Sequence, residues 1–256
     1  MIKYKASDYL QIFKHTALGV DIITWMKILF KYRFNIGLPF LFKALFITGT
    51  SLFNAPFHLF EYLVYHRRIK STKVKRPIFI LGHPRSGTTF LLYLISGDPK
   101  LAFCTTTNAL IPNLMLTADP IFEKMLDQVM PDTRPQDNVK LSAKKPKEEE
   151  FAMANISTAS HICGFYFPQK LKEAFDDVAI FSKSPKTRIK WKKDFYYLTQ
   201  KLTFKNKGKQ LLLKSPYNTA RVKEILEVYP DAVFIHIHRN PYEVFQSTLG
   251  LYQKVL

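Results

Sequence analysis

An α/β fold built on a parallel sheet is what this sequence predicts, and three features predict it. The apolar run at 77–81 is continuous rather than alternating, as a strand covered on both faces reads, and further strands are expected at 210–213 and 232–238. A helical pattern follows each run, and strands alternating with helices imply right-handed crossovers and parallel pairing. Each run also ends in polar residues: Gly82-His83-Pro84-Arg85 after the first, Lys214-Ser215 after the second, Arg239-Asn240 after the third. In an open α/β sheet that carboxyl edge is where ligands bind.

The 256 residues leave room for one substantial domain with an appendage. With 47% hydrophobic and 23% charged residues, the chain falls outside the disordered class. A net charge of +18 favours anionic partners, whether a nucleotide, a nucleic acid or a membrane surface, and composition does not choose among them. Cys104 and Cys163 are the only cysteines, which excludes a disulfide framework and C-x-x-C chemistry. Residues 1–15 lack the pattern of a signal peptide, so a cytoplasmic location is expected.

Residues 1–70 read as a helical segment, rich in aromatics and without a catalytic cluster. Its most apolar part, 38–56, is interrupted by Pro39, Lys43, Gly49, Asn54 and Pro56, so spanning a membrane is not expected. Aromatics mixed with Lys and Arg leave two alternatives, a segment lying on a membrane or one packed on the domain. A basic linker at 70–76 leads into an α/β domain over 77–256. After the first strand, 88–96 resumes as a buried helix that Gly97-Asp98-Pro99 stops. The stretch 120–208 reads as largely helical, and Trp191, Phe195, Leu198 and Leu202 recur there at helical spacing with lysines on the other faces. An amphipathic helix is expected at 219–228, and another from Tyr242. The chain ends at Gln253-Lys254-Val255-Leu256 with no stop signal, so the domain is expected to be truncated there.

The turn after the first strand carries the chemistry. Gly82-x4-Gly87-Thr88-Thr89 has the glycine spacing of a nucleoside-triphosphate P-loop, but Thr88 stands where the lysine belongs. Such glycines let backbone N–H groups converge on a phosphate, and the following helix adds its positive end. Thr88 and Thr89 offer hydroxyl donors, and Arg85 supplies a planar charged fork. A kinase or NTPase would need lysine at 88 and a carboxylate on a neighbouring strand end for magnesium; neither is present, and no metal is expected.

Pro84-Arg85-Ser86-Gly87-Thr88-Thr89-Phe90 resembles the 5′-phosphosulfate loop of sulfotransferases. Ile237-His238-Arg239-Asn240-Pro241-Tyr242-Glu243-Val244-Phe245-Gln246-Ser247 is similar to the same family's 3′-phosphate motif, with Arg239 at a strand end and Ser247 eight residues on, roughly two helical turns. The resemblance implies a three-layer fold like that of P-loop NTPases. It implies a co-substrate, 3′-phosphoadenosine 5′-phosphosulfate, held by Arg85, Ser86, Gly87, Thr88, Thr89, Phe90, Arg239 and Ser247. Lys214 sits where tyrosylprotein-type members place a lysine near the sulfuryl group, so Arg85 and Lys214 are the expected stabilisers of charge in transfer.

The general base is less defined. Where tyrosylprotein members carry a glutamate, this chain has Phe103-Cys104-Thr105-Thr106-Thr107. Pro146-Lys147-Glu148-Glu149-Glu150-Phe151 is similar to the Pro-x-Glu-[Asp/Glu]-Glu segment of bacterial members, making Glu148, Glu149 and Glu150 candidates. Carboxylates in a first helical turn also favour the helix dipole, an explanation of equal weight. His161 is a further candidate, while His83 and His236 are assigned only packing or polar support. The acceptor stays open among protein, glycan and small molecule, with the aromatic N-terminal segment hinting at a lipophilic one. Two alternatives stand beside the enzyme: a P-loop kinase or NTPase, and a non-catalytic nucleotide-binding or basic membrane-surface module. No nucleic-acid motif occurs, so no nucleic-acid partner is expected.

Overall fold

The computed structural model describes residues 15–130 and 140–255, with backbone alone at 252–255. Four parallel strands, β1 (Ile78–Leu81), β2 (Leu101–Ala102), β3 (Gln210–Lys214) and β4 (Val233–His236), form a sheet in the order β2-β3-β1-β4. The helices that matter to the site are α1 (Ile22–Lys31), α2 (Leu41–Lys70), α3 (Thr88–Ile95), α4 (Glu149–Ile156), α5 (Pro185–Lys205), α6 (Val222–Val228) and α7 (Pro241–Val255).

The unbroken apolar runs have a direct cause. Ile78 stands opposite Leu212 on one side and Val233 on the other, so β1 is flanked by strands. Phe79, Leu211 and Leu213 point to one face, where Trp191, Phe195, Leu198 and Leu202 of α5 cover them. Ile80 and Leu212 point to the other, where Leu92 of α3 covers them. A strand sandwiched this way needs apolar residues at every position. The lysines of α5 fall outside the buried stripe except Lys201.

Two local expectations change, and one strand goes unpredicted. The strand β2 is only two residues long and pairs with β3 through Leu101 and Ala102, too short to leave a periodic signal. The helix expected over 219–228 is a 3-10 turn at Pro216–Ala220 followed by α6, because Asn218 is drawn inward to a buried carboxylate. Pro39 lies in a 3-10 turn before α2, while Pro56 sits inside α2 and the helix runs on past it. Threonines upstream satisfy backbone carbonyls with their hydroxyls, Thr48 to Ala44 (2.8 Å) and Thr50 to Ile47 (3.0 Å).

By length and composition, the helical stretch Leu38–Lys70 is sufficient to cross a membrane. One of its faces packs on the protein. Ala44 and Ile47 join Trp25, Ile28 and Leu29 of α1, and Trp25 Nε1 donates to Thr48 (2.9 Å). Glu61 is buried, pairs with Lys201 at 2.5 Å, and accepts from the backbone N–H groups of Leu116 and Thr117. The beginning of the expected N-terminal helical segment, 1–14, and part of the expected helical stretch, 131–139, lie outside the described residues.

Candidate active site

The loop at the end of β1 is shaped by two glycines. Gly82 has φ +153°, and a Cβ there would come within 2.6 Å of the Ile237 carbonyl. Its N–H donates to Thr219 Oγ1 (2.9 Å), tying the loop to the segment after β3. Ser86 is buried and donates to the His83 carbonyl (2.7 Å), closing the turn. Gly87, at φ +100°, caps α3 without a side-chain bond, so the first N–H groups of that helix keep their capacity for an anion. Arg85 adopts φ +70°, a conformation costing roughly 1 kcal/mol or more for a residue with a Cβ. Its Nε donates to Ser247 Oγ at 2.9 Å. Two motifs 162 residues apart therefore meet.

Lys214 ends β3 and is only 2% exposed. Its ammonium donates to Thr89 Oγ1 (3.2 Å) and pairs with Glu148 Oε1. A short ladder sets Glu148 there. Thr106 N–H donates to the Lys145 carbonyl (2.9 Å), Lys147 N–H to the Cys104 carbonyl (2.8 Å), and Thr105 bridges Pro146. Glu148 is extended, at ψ 128°, and occupies the N-cap position of α4.

The next two carboxylates turn inward. Glu149 accepts from the Lys214 backbone N–H (2.9 Å) and Asn218 Nδ2 (2.7 Å); burial pushes its carboxyl up to about 7 against those bonds. Glu150 pairs with Arg221 (2.7 Å) and accepts from His161 N–H and the Ser160 hydroxyl. Burial raises its carboxyl, but the Arg221 charge and these bonds together hold it below the usual range. Arg221 itself is fully buried, with its guanidinium over the Trp191 ring at 5.0 Å. Glu149 and Glu150 thus fix the ends of β3 and α6.

These elements surround a cavity of about 1120 Å³. Its lining includes Arg85, Thr88, Thr89, Glu148 and Lys214 together with the apolar Phe151, Ile162, Phe165, Phe175 and Tyr217. His161 also lines the cavity, 4.2 Å between its ring centroid and that of Tyr217, its imidazole lowered to about 4 by burial first and by Arg221. Its Nδ1 has no hydrogen-bond partner among the described residues. Phe90 is not brought to the cavity; it is 74% exposed on α3. Arg239 is also outside it, exposed and bound to Glu243 (2.7 Å), one turn along α7. The cavity is lined by His83 and His236, to which the sequence reading assigned only support, and by Thr219, which it left without a role. His236 ends β4 and Thr219 lies in the turn after β3, both at the ligand edge of the sheet, the one signal that marks them.

The profile of the sulfotransferase family matches residues 77–255. The chain belongs to the sulfotransferase family. Two relatives, from Mycobacterium bovis and Mycobacterium tuberculosis, are each named omega-hydroxy-beta-dihydromenaquinone-9 sulfotransferase Stf3. Each is 30% identical over 237 residues, covering 92% of this chain and 61% of the relative. This sulfotransferase-family chain thus spans about three-fifths of the length of the curated relatives it matches. The crystal structure of sulfotransferase STF9 from Mycobacterium avium superposes with a TM-score of 0.65 at 21% identity, over 98% of this chain and 67% of that one. That likeness supports the fold: the sheet with helices on both faces is a sulfotransferase's three-layer α/β arrangement, like that of P-loop NTPases.

Proposed function

We propose that the cavity transfers a sulfuryl group from 3′-phosphoadenosine 5′-phosphosulfate to the hydroxyl of a lipophilic acceptor. The observation that carries this is the hydrogen bond from Arg85 to Ser247, with Lys214 bridging Thr89 and Glu148 at the same edge. Anion donors from the first loop are thereby joined to the helix that the resemblance assigns to the 3′-phosphate. The donor set fits such a nucleotide: uncapped N–H groups at α3, two threonine hydroxyls, a guanidinium and an ammonium, with no acidic residue in the loop.

In the proposed step the acceptor oxygen bonds to sulfur as the sulfur–bridging oxygen bond breaks. Its proton passes to Glu148, and adenosine 3′,5′-bisphosphate leaves with the bonding pair. Lys214 and Arg85 offset the charge that grows on the bridging and sulfuryl oxygens. Of the three glutamates only Glu148 lines the cavity; Glu149 and Glu150 are engaged by Asn218 and Arg221. The five apolar residues of the lining favour an acceptor with an apolar body. The mycobacterial relatives are named for a hydroxylated menaquinone, and a hydroxyl on an isoprenoid-like chain is the acceptor class proposed here.

The test is titration with adenosine 3′,5′-bisphosphate, followed by transfer of labelled sulfate to long-chain and isoprenoid alcohols. Saturable nucleotide binding and a labelled lipid product are expected. Absence of nucleotide binding would falsify the reading, whereas binding without transfer would leave a nucleotide-binding protein that does not turn over.

A further inference from the structure

We infer that α2 docks this protein on an anionic membrane surface, lying along it rather than crossing it. The helix is inside-out for a soluble protein. Phe42, Leu45, Leu52, Phe53, Phe60 and Leu63 recur at helical spacing, and their exposures run from 57% to 72%. This outward stripe is about 32 Å long at the α-helical rise, far beyond the scattered apolar residues of an ordinary surface. The inward face carries Ala44, Ile47, Ser51 and Glu61, all buried. With Ile69 also buried, the inward face is small and mixed, while the large apolar side chains stand outside, the reverse of the usual arrangement of a helix on a globular domain.

Charge identifies the occupant. Between residues 22 and 76 the sequence has ten Lys and Arg and a single acidic residue, Glu61. Glu61 is 1% exposed and neutralised by Lys201, so no carboxylate faces outward along this segment. Lys27 and Arg33 precede the stripe, and Arg67 and Lys70 follow it, all exposed. Apolar residues ending in cations at both ends match hydrocarbon beneath anionic headgroups. A second copy of the chain would set two such cationic surfaces face to face. Crossing the bilayer would strip Glu61 of Lys201 and of the Leu116 and Thr117 N–H groups, leaving a charge in hydrocarbon.

Flotation with two kinds of vesicle tests the inference: phosphatidylcholine alone, and phosphatidylcholine mixed equally with phosphatidylglycerol. Binding to the mixed vesicles, weakened by salt, is expected. The double variant Phe53→Ser/Phe60→Ser should bind about tenfold or more weakly with an unchanged Tm, because both side chains stand in solvent. Arg67→Glu/Lys70→Glu should weaken the preference for phosphatidylglycerol several-fold while keeping the fold. The inference fails if the mixed vesicles do not float the protein, or if the phenylalanine variant floats equally well. It also fails if sedimentation shows a dimer that the same variant dissociates. None of these readouts requires transferase activity, so the inference stands or falls separately from the proposed reaction.

Discussion

Replacing Glu149 with glutamine should stabilise the protein above neutral pH and remove part of its pH dependence. Glu149 is buried between α4 and the end of β3, and burial pushes its carboxyl up to about 7, against 4.5 for the ordinary group. A raised carboxyl means that the folded chain holds more protons than the unfolded chain between those two values. Stability from this group therefore falls as pH rises through that window and stays low above it. At 1.36 kcal/mol per pH unit the gap corresponds to about 3 kcal/mol. The site can host a neutral partner, because Asn218 Oδ1 has no hydrogen-bond partner among the described residues. Turning the Asn218 amide over would present that oxygen to a protonated Glu149 or to the amide of the glutamine variant. Urea unfolding from about pH 5 to about pH 8 measures the effect, with the parent losing stability across the range and Glu149→Gln losing less. A variant less stable than the parent at about pH 8, or one with the parent's full slope, refutes the reasoning.

Lys214→Met should cut kcat by about 10²- to 10³-fold in the sulfate-transfer assay, the usual loss when one buried donor to a developing oxyanion is removed; a loss under threefold in a folded variant would exclude that role. Ser247→Ala should weaken adenosine 3′,5′-bisphosphate binding by roughly tenfold, read by calorimetry, as Arg85 loses the hydroxyl that orients it. Arg221→Met should destabilise by about 3–5 kcal/mol in urea unfolding, because Glu150 would remain buried with its charge uncompensated. That penalty should fade in acid as Glu150 takes up a proton, since a lowered carboxyl stabilises only above its unfolded pKa and loses this contribution as pH falls through the folded one.

Sequence periodicity reached the parts of this fold that repeat. β1 and β3 are legible because a strand covered on both faces is apolar throughout, whereas β4 is a half-buried edge strand that ends in the exposed His236; α5 is legible because Trp191, Phe195, Leu198 and Leu202 share one stripe. Features decided by a single long-range partner left no such trace. Nothing local distinguishes Glu148, Glu149 and Glu150, three identical residues in a row. Their fates diverge because Lys214, Asn218 and Arg221 approach from 66 to 71 positions away. Phe90 shows the converse: its place in a motif suggested contact with nucleotide, yet helical geometry turns it outward while Thr88 and Thr89 face the cavity.

The same contrast bears on how the two halves of the site depend on each other. The loop motif takes its shape partly from within, through the Ser86 bond to His83 and the glycine angles at 82 and 87, and partly from Thr219, which accepts from the Gly82 N–H. Its charge depends on further distant segments. Arg85 is oriented by Ser247 from α7, and the ammonium at its edge comes from β3, held against a glutamate that opens α4. This turn carries Arg85 and no lysine, and the second cation, Lys214, together with the Ser247 bond to Arg85, ties anion binding to the packing of three distant segments. Disturbing Glu149, which fixes the Lys214 backbone, should therefore be felt at the loop even though no atom of Glu149 lines the cavity.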